Sequence, residues 1–391
     1  MRVLLVNDYA TPTGGAELQM LDLRDGLRAR GHDARLFAST ARDFPVASMA
    51  DYECAGTTSR FRTLVQSANP AAHRRLRQVV GEFRPDVVHV RLFLTQLSPL
   101  ILPVLRDVPA LAHVAWHRPV CPTGTKMLPD GSPCTTRAGA ACVGGGCVPG
   151  RDWAPLMAQR ALMRRWWGAF DGVLALSEPL AAELEADGLG PATVLRNAVR
   201  ERPARPPLTG PPTVAFAGRL DRVKGVDVLI RAFDRVAATV PDARLLIAGG
   251  GPEAGRIAAL AAASAAADRI DLLGRLDRDD LEHALAGAWV QAVPSTWAEP
   301  FGNVATEAMM RGTAVVASDR GGLGQIVREG VTGYRVAPGD DAALADRLIR
   351  LLSDREAAET MGATARAEAI ADYGMGAYLD RLIAIYEGVG A

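Results

Sequence analysis

Short, almost wholly apolar runs alternate along the chain with longer segments in which apolar residues recur every three to four positions. A strand buried on both faces reads as a near-continuous apolar run, whereas a helix covering a sheet shows one apolar stripe. Val3–Asn7, Arg35–Ala38, Val87–Val90, Ala110–Ala115 and Val173–Ser177 are the predicted strands of a first series, with a helix over Ala16–Arg30 that stops at Gly31. A second series predicts strands at Val214–Ala217, Arg244–Ala248, Ile270–Leu273, Val290–Val293 and Ala314–Ala317. Its helices are Asp227–Thr239, Pro252–Ala267, Asp279–Ala286 and Val304–Arg311. Strand–helix alternation repeated twice predicts an α/β protein with two doubly wound parallel sheets.

Between the two series, residues 202–212 include five prolines. Proline fixes φ and lacks an N–H, so this stretch is neither helix nor central strand and reads as a linker. The expected organisation is a first Rossmann-like domain over 1–200, a linker over 201–212 and a second Rossmann-like domain over 213–391. The last segment, Tyr373–Tyr386, predicts a helix that can pack on either domain.

Composition adds three constraints. The 391 residues, 49 % hydrophobic and 23 % charged, are ordinary for globular domains and too many for one core. No run of eighteen apolar residues exists, and Val3–Val6 is too short for a signal-peptide core, so the expectation is a cytoplasmic protein with reduced cysteines. The formal charge is zero but uneven: residues 1–200 carry about five more basic than acidic side chains, and Arg60 to Arg165 alone about ten. That asymmetry fits either an anionic partner, such as a membrane surface or a charged acceptor, or a plain solvated Arg-rich surface. The segment Arg160–Phe170, with Trp166 and Trp167 among its arginines, likewise reads as a helix lying on a membrane or as a core helix with a basic edge. No nucleic-acid partner is expected.

Candidate chemistry sits where strands end. After the first strand, Gly14 and Gly15 precede a helix, a turn that can present backbone N–H groups to a phosphate or serve only as a connection. After Val214–Ala217, the turn Gly218-Arg219-Leu220-Asp221-Arg222-Val223-Lys224-Gly225 carries two cations, Arg219 and Lys224, five positions apart before a helix start. Ligands bind at strand C-termini in such sheets, and these cations with a helix dipole can neutralise a diphosphate without a metal ion. After Val290–Val293 comes a loop with Glu299, then Phe301, Gly302, Asn303 and Val304 at a helix start, then Glu307 inside that helix. Carboxylates accept hydrogen bonds from hydroxyl pairs, so the two can hold opposite ends of a nucleotide sugar.

These motifs, with Gly249-Gly250-Gly251-Pro252, occur in an order that resembles family 4 of the retaining glycosyltransferases, of the GT-B fold. The spacing from Glu299 to Glu307 is the most specific part of the likeness, which spans nearly the whole chain. The resemblance implies a nucleotide-diphosphate sugar donor and a glycan, lipid-linked or natural-product acceptor. It implies that Gly14 and Gly15 border the donor phosphates, that Arg219 and Lys224 of the Gly218 turn bind the diphosphate, and that Gly250 shares this glycine-rich donor site. Glu299 with the amides of Phe301, Gly302 and Asn303, next to Val304, would hold the transferred sugar. Glu307 would take the ribose, Gly274 and Arg275 the base, and Asn197 would line a cleft closed by hinge motion. His117 follows the Ala110–Ala115 strand where the family often has His-Asp facing the donor sugar. Here Arg118 follows, which removes the adjacent acid and offers a cation to an anionic acceptor. No dedicated general base is implied, since the leaving phosphate oxygen can accept the acceptor's proton. No catalytic cofactor is expected, since Arg219 and Lys224 occupy the diphosphate's neighbourhood and no Asp-x-Asp motif sits at a plausible strand end to hold a metal ion.

Cys121, Cys134, Cys142 and Cys147 fall within 27 positions of a Gly/Pro-rich stretch, 119–150, with little apolar material to order it. A structural zinc on four thiolates, disulfides, or free thiols all fit that pattern. Other readings of the whole chain are a GT-B epimerase or phosphorylase, or a non-catalytic nucleotide-sugar-binding subunit. The few lysines and Glu307 disfavour the phosphorylase, and intact Glu299, Arg219 and Lys224 disfavour the subunit.

Overall fold

The computed structural model describes residues 1–42, 46–59 and 62–389. Contacts divide the chain into two compact units, Met1–Ala198 with Met375–Ala391, and Val199–Gly374. In the first unit seven parallel strands, β1 (Arg2–Val6), β2 (Asp33–Ser39), β3 (Tyr52–Cys54), β4 (Val87–Val90), β5 (Ala110–Val114), β6 (Gly172–Ala175) and β7 (Thr193–Val194), lie in the order β3-β2-β1-β4-β5-β6-β7. In the second unit β8 (Thr213–Ala217), β9 (Arg244–Ala248), β10 (Ile270–Gly274), β11 (Val290–Val293), β12 (Ala314–Ser318) and β13 (Gly333–Val336) lie in the order β10-β9-β8-β11-β12-β13, again all parallel.

Both sheets therefore reverse their winding once, between β1 and β4 and between β8 and β11. At such a switch point the flanking loops diverge above the strand ends and leave room for a ligand. Every residue of β4, β5, β8, β11 and β12 is buried, as their apolar runs require. The sheet order brings β3 and β13 in at the edges; Tyr52-Glu53-Cys54 is too short and too polar to stand out as a strand in the sequence.

The C-terminal segment differs from the single helix expected over Tyr373–Tyr386. One helix runs Arg355–Tyr373, Gly374 is extended, and a second helix runs Met375–Val389. The second helix belongs to the first unit. It buries Tyr378, Leu379, Leu382 and Tyr386 against Val3, Leu5, Met20, Leu23 and Leu27. Gly26 permits the approach, since a β-carbon there would lie 2.9 Å from Leu379 Cδ1. The Pro-rich stretch forms neither helix nor strand and lies along the second unit. Arg205 N donates to Arg311 O at 2.9 Å, and Leu208 N donates to Glu359 Oε1 at 2.8 Å.

A buried polar ladder fixes the returning helix. Tyr386 OH lies 2.7 Å from His89 Nδ1, His89 Nε2 lies 3.2 Å from His113 Nδ1, and His113 Nε2 lies 3.2 Å from the Leu195 carbonyl. Burial pushes His89 down to about 3 and lowers His113 as well, so both rings are neutral in the fold. The unfolded chain binds more protons than the fold between the ordinary histidine value near 6.5 and about 3, so stability falls as pH drops through that window. Acidification from pH 7 to 4 is expected to lower the melting temperature of the first unit. Tyr386→Phe orphans a buried ring nitrogen and should cost about 1–3 kcal/mol, and Leu382→Ala about 2–5 kcal/mol. Denaturant unfolding of the two variants checks the ranking.

Candidate donor site

In the second unit the two loops at the switch point are joined backbone to backbone. Thr296 N donates to Val223 O at 2.9 Å, and Gly225 packs so closely that a β-carbon there would lie 2.0 Å from the Pro294 carbonyl oxygen. Gly225 also holds φ at 67°, a left-handed conformation that glycine adopts without strain. It ends the short turn Arg222–Lys224 and starts the helix Val226–Thr239 with no side-chain cap. The neighbouring strand ends are tied in the same way. Gly218 N donates to Ala248 O at 3.0 Å, Leu220 N to Gly250 O at 3.0 Å and Gly249 N to Gly274 O at 2.7 Å. The ends of β8, β9 and β10 thus form one glycine-lined rim.

This apposition brings Lys224 to Glu299. The ammonium donates to Glu299 Oε1 at 2.6 Å, and Ser295 Oγ donates to the same oxygen at 2.7 Å. Lys224 Nζ also stands 5.2 Å from the centroid of the Trp297 ring, within cation–π range. Glu299 is 8 % exposed. Burial alone would raise its carboxyl, but the Lys224 charge and hydrogen bond outweigh this, with the Ser295 hydroxyl and a lesser share from the Trp297 indole, and hold it below the ordinary value. Glu299 is therefore an anion at neutral pH. Ser295 is a member of the site that its sequence does not announce; its only signal is its place in the same loop, four positions before Glu299.

The chain leaves Glu299 through a tight crossing. Gly322 N donates to Glu299 O at 2.7 Å, and a β-carbon on Gly321 would lie 2.5 Å from that same oxygen. Phe301 is buried, edge-on to Tyr373 with centroids 5.7 Å apart. Gly302, at φ 125°, starts the helix Asn303–Arg311, again with no side-chain cap. Val304 is half-buried, and its carbonyl accepts from Gln291 Nε2 at 3.1 Å. Glu307, half-buried one turn into this helix, has its carboxyl raised by burial despite the opposing charges of Arg278, Arg202 and Arg311; Glu282 adds to the rise. Arg311 grips Glu282 at 2.9 and 3.0 Å, and Arg202 meets it at 2.9 Å, which locks the helix to its neighbour Arg278–Leu285.

The other expected residues of this unit are spread around the rim. Arg219 is largely exposed, with its Nε 3.6 Å from Asp221. Gly274, at φ 66°, closes β10, and a β-carbon on Gly250 would lie 3.7 Å from Arg275 Cβ. The structure pairs Lys224 with Glu299 and leaves Arg219 facing solvent.

In the first unit Gly14 caps the helix Gly15–Ala29 without a side-chain bond, and the Glu17 carboxylate folds over it, 2.2 Å from where a β-carbon on Gly14 would sit. Asn197 is buried and accepts from Arg91 Nη2 at 2.6 Å. Asp8, not singled out in the sequence, is fully buried. It accepts from Thr95 N and Oγ1 at 2.9 and 2.7 Å and from Gln96 N and Leu97 N at 2.8 and 2.9 Å. His117 is 2 % exposed, and its Nδ1 lies 2.6 Å from Glu183 Oε2. The carboxylate that meets His117 thus comes from a distant helix, Glu178–Ala186. Arg118 turns inward, donating to Gln66 Oε1 at 3.0 Å and to the Pro122 carbonyl, and burial pushes its guanidinium down to about 10.

The four insertion cysteines are free thiols. Burial alone would raise Cys121, but donors from the Thr123 hydroxyl and the backbone of Lys126, Thr123 and Gly124 bring it below its ordinary value. Burial raises Cys147, and the neighbouring thiols of Cys134, Cys142 and Cys121 raise it further. Among the described residues no three His, Cys, Asp or Glu side chains stand where they could hold a metal ion.

Comparison with known proteins covers nearly the whole chain. The "Glycosyl transferase 4-like domain" pattern matches residues 14–199, and the "Glycosyl transferases group 1" pattern matches 199–368. A phosphatidyl-myo-inositol mannosyltransferase of Mycobacterium leprae is 29 % identical over 410 residues, spanning 100 % of this chain and 97 % of that protein. The fold is similar to sucrose-phosphate synthase of Thermosynechococcus elongatus, with TM-score 0.74, 23 % identity, and 100 % and 99 % of the two chains covered. It is also similar to Anabaena HepE in complex with UDP and glucose, with TM-score 0.71, 19 % identity, and 99 % of each chain covered. The chain belongs to the family 4 glycosyltransferases and has the GT-B fold.

Proposed function

We propose that the protein transfers a sugar from a UDP- or GDP-sugar to a hydroxyl of a glycan, lipid-linked or small-molecule acceptor, with retention of configuration and without a catalytic metal ion. The observation that carries this reading is the Lys224–Glu299 pair, set by backbone contacts at the switch point of a parallel sheet. Lys224, Arg219 and the start of the helix Val226–Thr239 supply positive charge for a diphosphate leaving group, and a side chain's fixed charge costs no reorganisation as the bond breaks. Ionised Glu299 accepts hydrogen bonds from the sugar's hydroxyls, with the amides of Phe301, Gly302 and Asn303 beside it. Glu307, kept closer to its neutral form by burial, suits the ribose hydroxyl pair, and Gly274 with Arg275 the base.

Within the first unit, His117, Asn197 and the Gly14–Gly15 turn are the proposed sugar- and phosphate-binding residues. The departing phosphate oxygen takes the acceptor's proton, so the protein's own work is to stabilise charge and hold geometry. The HepE complex with UDP and glucose and the mannosyltransferase named above favour a hexosyl donor. The helix Gly150–Trp166 buries Leu156 and Met163, and none of its residues is among the exposed large hydrophobics. No helix among the described residues is long and apolar enough to cross a membrane.

Glu299→Ala and Lys224→Ala are each expected to lower transfer at least about a hundredfold, as loss of a transition-state charge contact does. Near wild-type turnover in both variants would remove the proposed chemistry. Thermal-shift screening of UDP- and GDP-sugars selects the donor for the assay. Transfer should also survive a short assay in EDTA. Immediate loss, reversed by magnesium or manganese alone, would show that the diphosphate is held by a metal ion instead of by Lys224 and Arg219.

A further inference from the structure

Arg118 carries a charge that the fold does not answer. It stands in the turn that follows β5, and sheets of this kind bind ligands at the C-terminal ends of their strands. A guanidinium has five N–H donors and no acceptor. Two of these nitrogens donate, and both partners are neutral: the Gln66 amide oxygen, at 3.0 Å, and the Pro122 carbonyl. Nε is buried with no acceptor among the described residues, none of whose carboxylates pairs with Arg118. The acid whose charge acts on it is Asp8, which already accepts four hydrogen bonds from residues 95–97. Burial lowers the guanidinium only to about 10, so Arg118 is a cation at neutral pH. Burying a cation without a counter-charge is costly.

The seat around it is fixed and adds a second cation. Gln66 lies on the short helix Arg62–Ser67, which is pinned to the helix Gly150–Trp166. Gln159 Nε2 donates to the Gln66 carbonyl, and Ser67 Oγ donates to the Pro155 carbonyl at 2.9 Å. Arg62 is four positions before Gln66, hence on the helix face where Gln66 meets Arg118. It is exposed and makes no ion pair among the described residues. Leu94, Leu156 and Met163 help to wall a small cavity beside Arg118. Apolar walls lower the local dielectric and strengthen the pull of a cation on an anion.

We propose that Arg118 and Arg62 bind an anionic group of the acceptor, a phosphate or a carboxylate, and so select charged acceptors over neutral ones. The inference rests on the proposed transfer to an acceptor hydroxyl and gives that acceptor a charge class. The remaining Nη hydrogens of Arg118 and the Arg62 guanidinium supply the donors to the oxyanion. An Arg118 that served only to hold Gln66 and Pro122 would leave the acceptor's charge without effect.

The test uses the full chain and probes that differ in charge: glucose 6-phosphate, glucuronate, glucose and inorganic phosphate. Calorimetry measures the binding of each with UDP or GDP present at saturation, so that the donor's diphosphate site is filled. The wild type should bind glucose 6-phosphate or glucuronate at least about tenfold more tightly than glucose, the scale of a hydrogen bond to a charged group. Arg118→Gln and Arg62→Ala should each cut that preference about fivefold or more, with UDP or GDP binding kept within about twofold. Arg165→Ala, at another exposed arginine, should leave the preference unchanged. Arg62 is on the surface, so its variant decides the matter where Arg118→Gln fails to fold. Equal or undetectable binding of charged and neutral sugars by the wild type would overturn the inference, as would a preference that survives in Arg62→Ala. Binding of inorganic phosphate with no preference between glucose 6-phosphate and glucose would mark a free-anion site and overturn the acceptor role. A wild type that binds neither UDP nor GDP would overturn the proposed donor, and this inference with it.

Discussion

The candidate donor site depends on one steric fact: Gly225 has no side chain. The loop after β8 and the loop after β11 meet at that residue, with the Pro294 carbonyl where a β-carbon would be. Only this approach lets the residue before it, Lys224, reach Glu299. Adjacent strand ends are joined by the same device at Gly249 and Gly251, which pack on the backbone of Gly218 and Leu220, so the rim is backbone packed on backbone. A rim of this kind has few rotamers to reorganise, which is what a site that works by fixed charge requires.

The ion pair at its centre is not there to stabilise the fold. Taking a carboxylate and an ammonium out of water costs several kcal/mol per ion, of which their attraction returns about as much. What the pair secures is a charge state and a direction. Lys224 keeps Glu299 ionised, Ser295 fixes one of its oxygens, and Trp297 flanks the ammonium. In the first unit a buried ring, that of His117, likewise meets a carboxylate, that of Glu183.

Much of this was legible in the chain because parallel strands buried on both faces cannot hide their apolar runs, and because ligands gather where such strands end. Arg219, Lys224, Glu299 and Glu307 stand out by position relative to β8 and β11. What was illegible has no local signature. Glu183 lies in a helix whose alternation of Glu, Ala and Leu is that of any half-exposed helix, and 66 residues separate it from His117. Ser295 is one hydroxyl among many. The C-terminal helix has an apolar stripe that either sheet could cover, and its destination is decided by Tyr386 meeting His89, a contact across 297 positions. Position 118 misleads in isolation, since the carboxylate that meets His117 comes from elsewhere in the fold.

The claim that Lys224 and Glu299 work as one unit is tested most directly by a double-mutant cycle on kcat/KM. Lys224→Met, Glu299→Gln and the double variant would be compared with the wild type, with donor binding followed in parallel. If the pair is a single device, its effects are strongly non-additive, and the double variant loses little more than the worse single variant. Losses that multiply, with each single variant keeping the other residue's full contribution, would contradict it.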